Sequence, residues 1–436
     1  MTSEMVGLMG VGAFLILLAL GVPIAFAGAL TGFLGLWYLA GTSPAMGALG
    51  LIPYSESASY NFTVLPLFII MGYFAFYAGL ATKAFETGKR WIGHLHGGLT
   101  LATVIAGAAL AACCGMSVAS AAITGKLVIP EMEKLHYQPR LITGVVAACG
   151  TLATMIPPSS TLVVYAIMTE VSVGKCLIAG VIPGLINAFL YGVMLYLRAK
   201  WNPSLTGGLM SPYSWRERLN SVPQVWGVVV IAAVIIGGIY TGIFTPTEAA
   251  AIAALISVFL FFILRKAGGR WNIFKQALFE TSRATGMIFL IMIGIVIFAR
   301  FQAMSRLPYS FVEWISGLGL NRYVIIVLII GLFFVLGMFV ETMGILLLSI
   351  PVTYPLILSL GFDPIWYAVF VVKNIEMGML TPPVGLNVYV IKGLYPQYRL
   401  EDIFMGAMPF LIVDFVVLAL LIVFPEIALF LPSRMG

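Results

Sequence analysis

Long stretches without a charged residue are the feature that most restricts what this chain can fold into. Asp, Glu, Lys and Arg are absent from residues 5–55, 57–82, 91–125, 141–169 and 219–247. Each stretch exceeds the roughly 20 residues that span a bilayer as an α-helix. Only 9% of the residues are charged and 61% are hydrophobic. The sequence therefore predicts an all-α polytopic membrane protein with about ten to twelve hydrophobic elements. The N-terminus carries no basic signal-peptide region, so the first stretch is expected to remain as a span.

Residue patterns typical of enzymes and of nucleic-acid binding are missing. The net charge of +6 comes from Lys and Arg between the apolar stretches, where such residues set membrane topology. The four cysteines form no CxxC pair, and the sequence contains no HExxH, GxSxG or P-loop lysine motif. The sequence therefore predicts no enzyme, no organic cofactor and no nucleic-acid partner. An intramembrane protease is the alternative from another class, but no nucleophile–base spacing supports it.

Two adjacent prolines interrupt an apolar stretch at two places, Pro157-Pro158 and Pro382-Pro383. Proline has no N–H and cannot close the helical hydrogen bond to the carbonyl four residues earlier. Each pair therefore frees two carbonyls, which belong to Ala153, Thr154, Gly378 and Met379. Free carbonyls at membrane depth are tolerated only inside protein or beside a wet cavity. Paired broken helices in the two halves of a chain indicate the binding site of a secondary transporter.

The two breaks belong to an internal duplication. Gly115-Met116 corresponds to Gly337-Met338, and the double prolines follow in the same order. A stretch of small residues at 100–125 allows close helix packing, and two structures fit it, a re-entrant hairpin or a tightly packed full span. The corresponding stretch in the second half is 322–355.

The charges between apolar stretches indicate that the two halves are inverted. Lys and Arg are absent from 41–61 but frequent in 81–96, whereas 263–283 is basic and 303–318 holds only Arg306. By the positive-inside rule, the loops 81–96 and 263–283 face the cytoplasm. The sequence therefore predicts an inverted repeat of residues 1–197 and 224–436, joined by a cytoplasmic connector at 198–223.

Hydroxyl residues cluster around the first break, and they are Ser117, Ser120, Thr124, Thr151, Thr154, Ser159, Ser160 and Thr161. The half-helix that begins near Ser159 directs its N–H groups into this region, which favours an anionic ligand. The freed carbonyls are hard oxygen donors that suit Na⁺. A single Ser or Thr within a bilayer more often bonds to the backbone, so only the cluster beside the break predicts a function.

Acidic residues lie in or near apolar segments at four positions, Glu248, Glu341, Glu376 and Asp414. Glu248 ends a Thr-Pro-Thr-Glu capping box and is assigned to helix initiation. Glu341 follows the tip of the second hairpin candidate and faces the second break, and intramembrane acids are usually functional. Glu376 is spaced as a helical ion pair with Lys373. Asp414 is given no role.

Several motifs resemble the large membrane subunit of tripartite ATP-independent periplasmic (TRAP) transporters, the DctM-like family. They are GVPIAF at 21–26, GIFTPTEAAA at 242–251, IPPS at 156–159 and GMLTPPVG at 378–385. The resemblance covers essentially the whole chain. It implies an elevator-type secondary transporter with two re-entrant hairpins and two broken helices, located in the bacterial inner membrane. It also implies symport of a small organic anion with two or more Na⁺ ions.

The resemblance further implies partners and site residues. A DctQ-like four-helix membrane subunit and a DctP-like periplasmic substrate-binding protein would complete the transporter. One Na⁺ site would lie at Cys114, Met116, Ala153, Ile156 and Pro158. The repeat-related Na⁺ site would lie at Met338, Gly378, Thr381 and Pro383. The candidate substrate residues are Ser117, Ser120, Thr154, Ser159, Thr161, Glu341, Thr342 and Asn374.

One departure and one alternative follow from the motifs. The first hairpin tip of the family usually reads Ser-Gly-Ser-Ser/Ala, whereas here it is Cys114-Gly115-Met116-Ser117, so two hydroxyls are missing. A Na⁺ ion held by backbone carbonyls would be unaffected, while one held by side chains would be bound more weakly. The alternative within transport is a standalone Na⁺- or H⁺-coupled dicarboxylate or citrate carrier that needs no binding protein.

Overall fold

The computed structural model describes residues 2–207, 210–265 and 268–435. Every regular element within these ranges is helical, because a backbone inside a bilayer must satisfy its own polar groups. Nine helical segments of this part are long and apolar enough to cross a membrane, and three shorter apolar helices accompany them. The prediction of an all-α polytopic membrane protein with ten to twelve hydrophobic elements is confirmed.

The helices follow each other closely along the chain. Those of the first half are α1 (Ser3–Ala19), α2 (Ile24–Ala40), α3 (Thr42–Ala58), α4 (Val64–Tyr77), α5 (Leu80–Ile92), α6 (Gly98–Cys114), α7 (Ser117–Lys134), α8 (Pro139–Met155), α9 (Ser160–Met168), α10 (Val173–Ala179) and α11 (Val181–Trp201). Those of the second half are α12 (Trp215–Ser221), α13 (Trp226–Ala232), α14 (Gly238–Tyr240), α15 (Pro246–Leu264), α16 (Arg270–Ser305), α17 (Leu307–Gly317), α18 (Arg322–Phe339), α19 (Thr342–Ser359), α20 (Pro364–Gly378), α21 (Leu386–Leu394), α22 (Leu400–Val423) and α23 (Glu426–Leu429).

The same order of elements occurs in both halves. A helical hairpin, α6–α7 or α18–α19, is followed by a helix that stops at a double proline and resumes as a short second helix, α8–α9 or α20–α21. The stretch 100–125 therefore forms a hairpin and not one full span. Its two helices meet at Gly115, whose φ of 65° lies in the left-handed region that favours glycine.

The two repeats interlock around their breaks. The short helix after each break packs against the second hairpin helix of the other repeat, α9 against α19 and α21 against α7. The two helices that precede the breaks, α8 and α20, also pack against each other. Both breaks and both hairpin tips are thereby brought into one region of the molecule.

A second group of helices forms a wall beside this region. Helix α16 packs along α2, and α4 packs against both α15 and α16. Glycines allow the close approach of α2 and α16, because a Cβ at Gly32 would lie 2.6 Å from the backbone nitrogen of Phe298. Helix α15 begins with the predicted capping box, in which Thr245 N–H donates to the Glu248 carboxylate (2.8 Å) and Glu248 N–H donates to the Thr245 hydroxyl (3.3 Å).

The four segments that were predicted as loops from their charges are largely helical. Residues 41–61 hold α3, 81–96 hold most of α5, and 303–318 hold α17. Charged residues of α5 lie on one face, while Leu80, Ala84 and Phe85 are buried on the other. The charges in 81–96 therefore belong to an amphipathic helix and do not mark a loop. Within 263–283, α15 ends at Leu264 and α16 begins at Arg270. Residues 266 and 267 of this segment lie outside the described residues, as do residues 208 and 209 of the connector. Lys275 and Arg283 are therefore on α16.

The predicted helical pair of Lys373 and Glu376 is wrong. The Lys373 ammonium on α20 instead pairs with the Asp414 carboxylate on α22, and both side chains are buried. Lys373 also donates to the side-chain oxygen of Asn187 on α11 (3.0 Å), and the Tyr191 hydroxyl donates to Asp414 (2.6 Å). The spacing of charged residues along one helix reveals partners on that helix only, whereas a long lysine side chain can reach a carboxylate on a neighbouring helix. Asp414, which had no predicted role, is the counter-ion.

Candidate functional site

The first break is built by Pro157 and Pro158. Helix α8 ends at Met155, and Ile156 continues in an extended conformation with ψ of 125°. None of the hydrogen bonds outside the helices is donated to the carbonyls of Ala153 or Thr154 among the described residues, which agrees with the effect of the missing proline N–H groups. Helix α9 then begins at Ser160. This break leaves carbonyl oxygens available next to the start of a helix.

The first hairpin tip docks directly onto this break. The Gly115 carbonyl accepts hydrogen bonds from the Ser160 N–H (3.3 Å) and the Ser160 hydroxyl (2.8 Å). A Cβ at Gly115 would lie 2.4 Å from the Pro158 carbonyl oxygen. The structure thus places Cys114 and Met116, on either side of Gly115, against the chain that carries Pro158.

The second break differs from the first in how its carbonyls are used. Thr381 N–H donates to the Gly378 carbonyl (3.0 Å), and Asn387 N–H donates to the Met379 carbonyl (3.3 Å). The prediction that the second double proline leaves both carbonyls free is therefore wrong, because the chain turns after α20 and supplies other donors. The Thr381 hydroxyl also donates to the Met377 carbonyl (2.8 Å).

The second hairpin tip docks onto the second break. Gly385 N–H donates to the Met338 carbonyl (3.2 Å), so Met338 and the segment around Pro383 lie side by side. Gly337 packs against Gly378, where an added Cβ would come within 2.9 Å of the Gly378 Cα. Glu341 caps α19 by accepting the Met343 N–H (3.1 Å). Each repeat therefore pairs its own hairpin tip with its own break.

Asn387 joins the two repeats at this point, and Thr342 joins two helices of the second repeat. The Asn387 amide on α21 donates to the Ser117 hydroxyl on α7 (2.9 Å) and to the Ala147 carbonyl on α8 (3.3 Å). The Thr342 hydroxyl on α19 donates to the Glu376 carboxylate on α20 (2.9 Å). The second carboxylate oxygen of Glu376 is buried and has no partner among the described residues. Glu376 was missed as a site residue because its spacing from Lys373 suggested a structural ion pair.

The tips and the first break form one wall of a cavity of about 470 Å³. Six of the predicted site residues line it, namely Met116, Ser117, Thr154, Thr161, Glu341 and Thr342. The predicted Na⁺ residues Cys114, Ala153, Ile156, Pro158, Met338, Gly378, Thr381 and Pro383 belong to the tips and breaks next to this wall without lining the cavity. No group of three or more His, Cys, Asp or Glu residues that could hold a metal ion occurs in the described part of the chain. The oxygens that this region offers a cation belong to carbonyls, hydroxyls and the single carboxylates of Glu280 and Glu341.

Three predicted substrate residues are not on the cavity wall. Ser159 caps α9 by accepting the Leu162 N–H (3.1 Å). Asn374 donates to the Ile330 carbonyl on α18 (3.3 Å) and is buried between α18 and α20. Ser120 is fully buried, and its hydroxyl has no partner among the described residues. The structure brings these residues near the breaks but directs them into helix packing.

The expected anion-binding end of α9 is largely occupied by the protein itself. Two of its first N–H groups, those of Ser160 and Leu162, donate to the Gly115 carbonyl and the Ser159 hydroxyl. A helix N-terminus attracts an anion through its unpaired N–H groups, and here few remain. Negative charge on a ligand must therefore be met by another group on the cavity wall.

The opposite wall of the cavity comes from α4 and α16 and was missed by sequence reasoning. It carries Tyr73, Glu280, Arg283, Ala284, Met287, Ile288 and Ile291. Positions 280, 284, 287 and 291 recur at helical spacing on one face. This periodicity was the available signal, but Arg283 was counted as a loop charge because the start of α16 was placed too late.

Comparison with known proteins assigns the fold and the family. A family model described as "Tripartite ATP-independent periplasmic transporter, DctM component" matches residues 11–427. The C4-dicarboxylate TRAP transporter large permease protein DctM of Pseudomonas aeruginosa is 35% identical over 89% of this chain and 90% of its own length. The sialic acid TRAP transporter large permease protein SiaM of Vibrio cholerae is 32% identical over 86% and 87%. The crystal structure of the Alcanivorax borkumensis YdaH transporter superposes with a TM-score of 0.61 at 14% identity, covering 89% and 90% of the two chains, which is a likeness of fold.

Proposed function

Since the chain belongs to the DctM family of TRAP transporters, we propose that it is the large permease subunit of a Na⁺-coupled importer of a small organic anion. The observation that carries this proposal is that both hairpin tips and the first helix break line one cavity, and that Met379, at the start of the second break, lines it too. Broken helices of this kind hold substrate and coupling ions in many secondary transporters. Relatives named for C4-dicarboxylates and for sialic acid support an organic anion as the class of substrate.

The Na⁺ ions bind at the tip and break of each repeat. At the first site, the unbonded Ala153 carbonyl lies in the segment that runs into Ile156 and Pro158, and the tip residues Cys114 and Met116 pack beside it. At the second site, the carbonyls of Gly378 and Met338 each accept one hydrogen bond and keep a second lone pair for an ion. Na⁺ held by backbone carbonyls in this way tolerates the loss of tip hydroxyls at Cys114 and Met116.

Transport proceeds by movement of the tip-and-break assembly along the wall of α4 and α16, as in an elevator. Support comes from the two-sided cavity, whose walls come from separate groups of helices. The interlocked repeats, with α9 on α19 and α21 on α7, would move as one unit. Na⁺ binds at the breaks first, and the substrate binds afterwards. This order couples Na⁺ transport to substrate transport, because the ions and the substrate share the same hairpin tips.

Two further subunits complete the transporter. We expect a DctQ-like four-helix membrane protein and a DctP-like binding protein that delivers the substrate from the periplasm to this chain in the inner membrane. The words "tripartite" and "periplasmic" in the description of the family and "large permease" in the names of relatives support both partners.

The experiment that tests the tripartite proposal is uptake into proteoliposomes. The chain and its small subunit are reconstituted, an inward Na⁺ gradient is imposed, and labelled substrate is added with and without the binding protein. We expect accumulation only when both the gradient and the binding protein are present. Accumulation without any binding protein would instead identify a standalone carrier, and accumulation that ignores the Na⁺ gradient would refute Na⁺ coupling.

A further inference from the structure

The cavity contains one basic side chain among the described residues, Arg283 on α16. It forms no ion pair within the described part of the chain. Its acidic neighbour on the same helix, Glu280, accepts the Tyr77 hydroxyl (2.9 Å) and the Gln276 amide (3.0 Å) instead, both at Oε1. A guanidinium group on a cavity wall without a carboxylate partner is suited to a bidentate contact with a carboxylate of a ligand.

Three of the six hydroxyl groups on the wall already donate within the protein, and none of the six carries a positive charge. The hydroxyls of Thr154 and Ser160 donate to the carbonyls of Thr151 and Gly115, each at 2.8 Å. The Thr342 hydroxyl donates to Glu376 (2.9 Å). The N-terminus of α19 is capped by the carboxylate of Glu341, which repels an anion. Arg283 is therefore the group that meets the negative charge of a ligand.

Much of the remaining lining of the cavity is apolar. Four methionines line it, Met116, Met287, Met343 and Met379, together with Ile288 and Ile291 on the arginine-bearing helix. Methionine adapts its shape to an apolar ligand, but it donates no hydrogen bond to a hydroxyl-rich one. A second carboxylate would have to lie among these side chains or near Glu341.

We infer that this transporter selects monoanionic organic acids with an apolar body, and that Arg283 binds their carboxylate. The apolar body lies against the methionines, and Glu341 faces any hydrogen-bond donor that the ligand carries. Dicarboxylates are bound more weakly, because a second carboxylate finds no second basic side chain on this wall and meets Glu280 and Glu341. Polyhydroxylated acids are bound more weakly, because hydroxyls placed against the methionines lose water without gaining a hydrogen-bond donor. The inference rests on the proposed function, since it names the substrate class of the same site.

Direct binding to the purified membrane complex tests the inference without the selectivity of a binding protein. Three labelled probes are compared in Na⁺ buffer, namely phenylpyruvate, succinate and gluconate. We expect phenylpyruvate to bind most tightly. Arg283→Gln should weaken the binding of phenylpyruvate roughly tenfold to a hundredfold, which corresponds to a lost hydrogen bond to a charged group. The affinity of Arg283→Lys for phenylpyruvate should lie between those of the wild type and Arg283→Gln. Arg300→Gln is the matched control, because Arg300 is on the same helix but not on the cavity wall.

A second pair of variants tests the apolar wall. Met287→Gln keeps the length of the side chain and adds polar atoms, and it should weaken phenylpyruvate binding while strengthening gluconate binding. Met304→Gln is its control on the same helix, with a similar exposure of 47% against 55% for Met287.

Three outcomes would each overturn the inference. They are binding of succinate or gluconate as tight as that of phenylpyruvate or tighter, absence of phenylpyruvate binding, and wild-type binding by Arg283→Gln. Replacing Na⁺ by choline separates the two proposals, since unchanged binding in choline contradicts Na⁺ coupling alone.

Discussion

Gly115 is the residue on which the docking of the first hairpin tip depends. Its φ of 65° costs a residue with a Cβ about 1–3 kcal/mol, and the Cβ would clash with the Pro158 carbonyl at 2.4 Å. We predict that Gly115→Ala lowers Na⁺-driven uptake at least tenfold, roughly the effect of the strain alone, while the complex still assembles. Uptake in proteoliposomes and the elution profile of the purified complex check this.

The control for that variant is Gly331→Ala on α18, where an added Cβ meets no atom within 4 Å. It should transport as the wild type does. Normal uptake by Gly115→Ala would show that the tip does not dock as described.

Glu341 is the acid that lies on the cavity wall at the start of α19. It forms no ion pair among the described residues, and its carboxylate accepts the Met343 N–H (3.1 Å). We predict that Glu341→Gln, which keeps the shape and removes the charge, still assembles but lowers uptake roughly tenfold or more, as expected for loss of an ionic hydrogen-bond acceptor. Uptake and the yield of folded complex are measured together, which distinguishes a role in transport from a role in stability. Loss of the protein from the membrane would indicate a structural role.

The residues of one cavity wall could be predicted from the sequence, and those of the other could not. Met116, Ser117 and Thr154 lie beside a tip or a proline break, which are local signals in the chain. Arg283 contributes through the face of a long helix, and that face becomes evident only when the helix is known to begin at Arg270. Asn374 shows the converse, because it is close to the break in sequence but faces α18.

At the scale of elements, the two breaks are predicted to differ in ion binding. The Ala153 and Thr154 carbonyls accept no hydrogen bond outside the helices, whereas those of Gly378 and Met379 do. Pro157→Ala restores an N–H that can bond to the Ala153 carbonyl, so it should raise the Na⁺ concentration for half-maximal uptake more than Pro382→Ala does, whose counterpart carbonyl of Gly378 already accepts a hydrogen bond. Pro409→Ala, a proline inside α22, serves as the control. An equal effect of both break variants would contradict the difference between the sites.

The buried pair of Lys373 and Asp414 ties α20, which ends at the second break, to α22. Removing one partner leaves an uncompensated charge, so Lys373→Met should cost about 3–5 kcal/mol. The double variant Lys373→Met/Asp414→Leu removes both charges and should recover most of the lost stability. Thermal unfolding of the purified complex measures both variants, and a double variant no more stable than the single one would show that the ion pair itself is not what is lost.

Element order was predictable because a double proline and a small-residue tip mark each repeat along the chain. The helical character of segments such as α5 and α17 was not, because charges alone do not distinguish a loop from an amphipathic helix. The hydrogen bonds that the Gly378 and Met379 carbonyls accept were not predictable either. They depend on the path of the chain after Leu380, which no sequence motif at this position indicates.

At the scale of the whole molecule, the membrane fold and the DctM family place the two repeats around one cavity, where we propose that ion and substrate are coupled. The interlocking of the repeats, α9 with α19 and α21 with α7, brings both proposed ion sites close to one cavity. Neither site can then be filled or emptied without affecting the same pair of hairpin tips. The inverted orientation of residues 1–197 and 224–436 stays a prediction from charge.

Simultaneous measurement of Na⁺ and substrate flux tests this coupling most directly. Proteoliposomes that contain the complete transporter are given radiolabelled Na⁺ and labelled substrate, and both initial rates are recorded over a range of substrate concentrations. The account predicts that the two fluxes rise in a fixed ratio with more than one Na⁺ per substrate, and that substrate flux stops without Na⁺. Substrate accumulation without accompanying Na⁺ entry would contradict it.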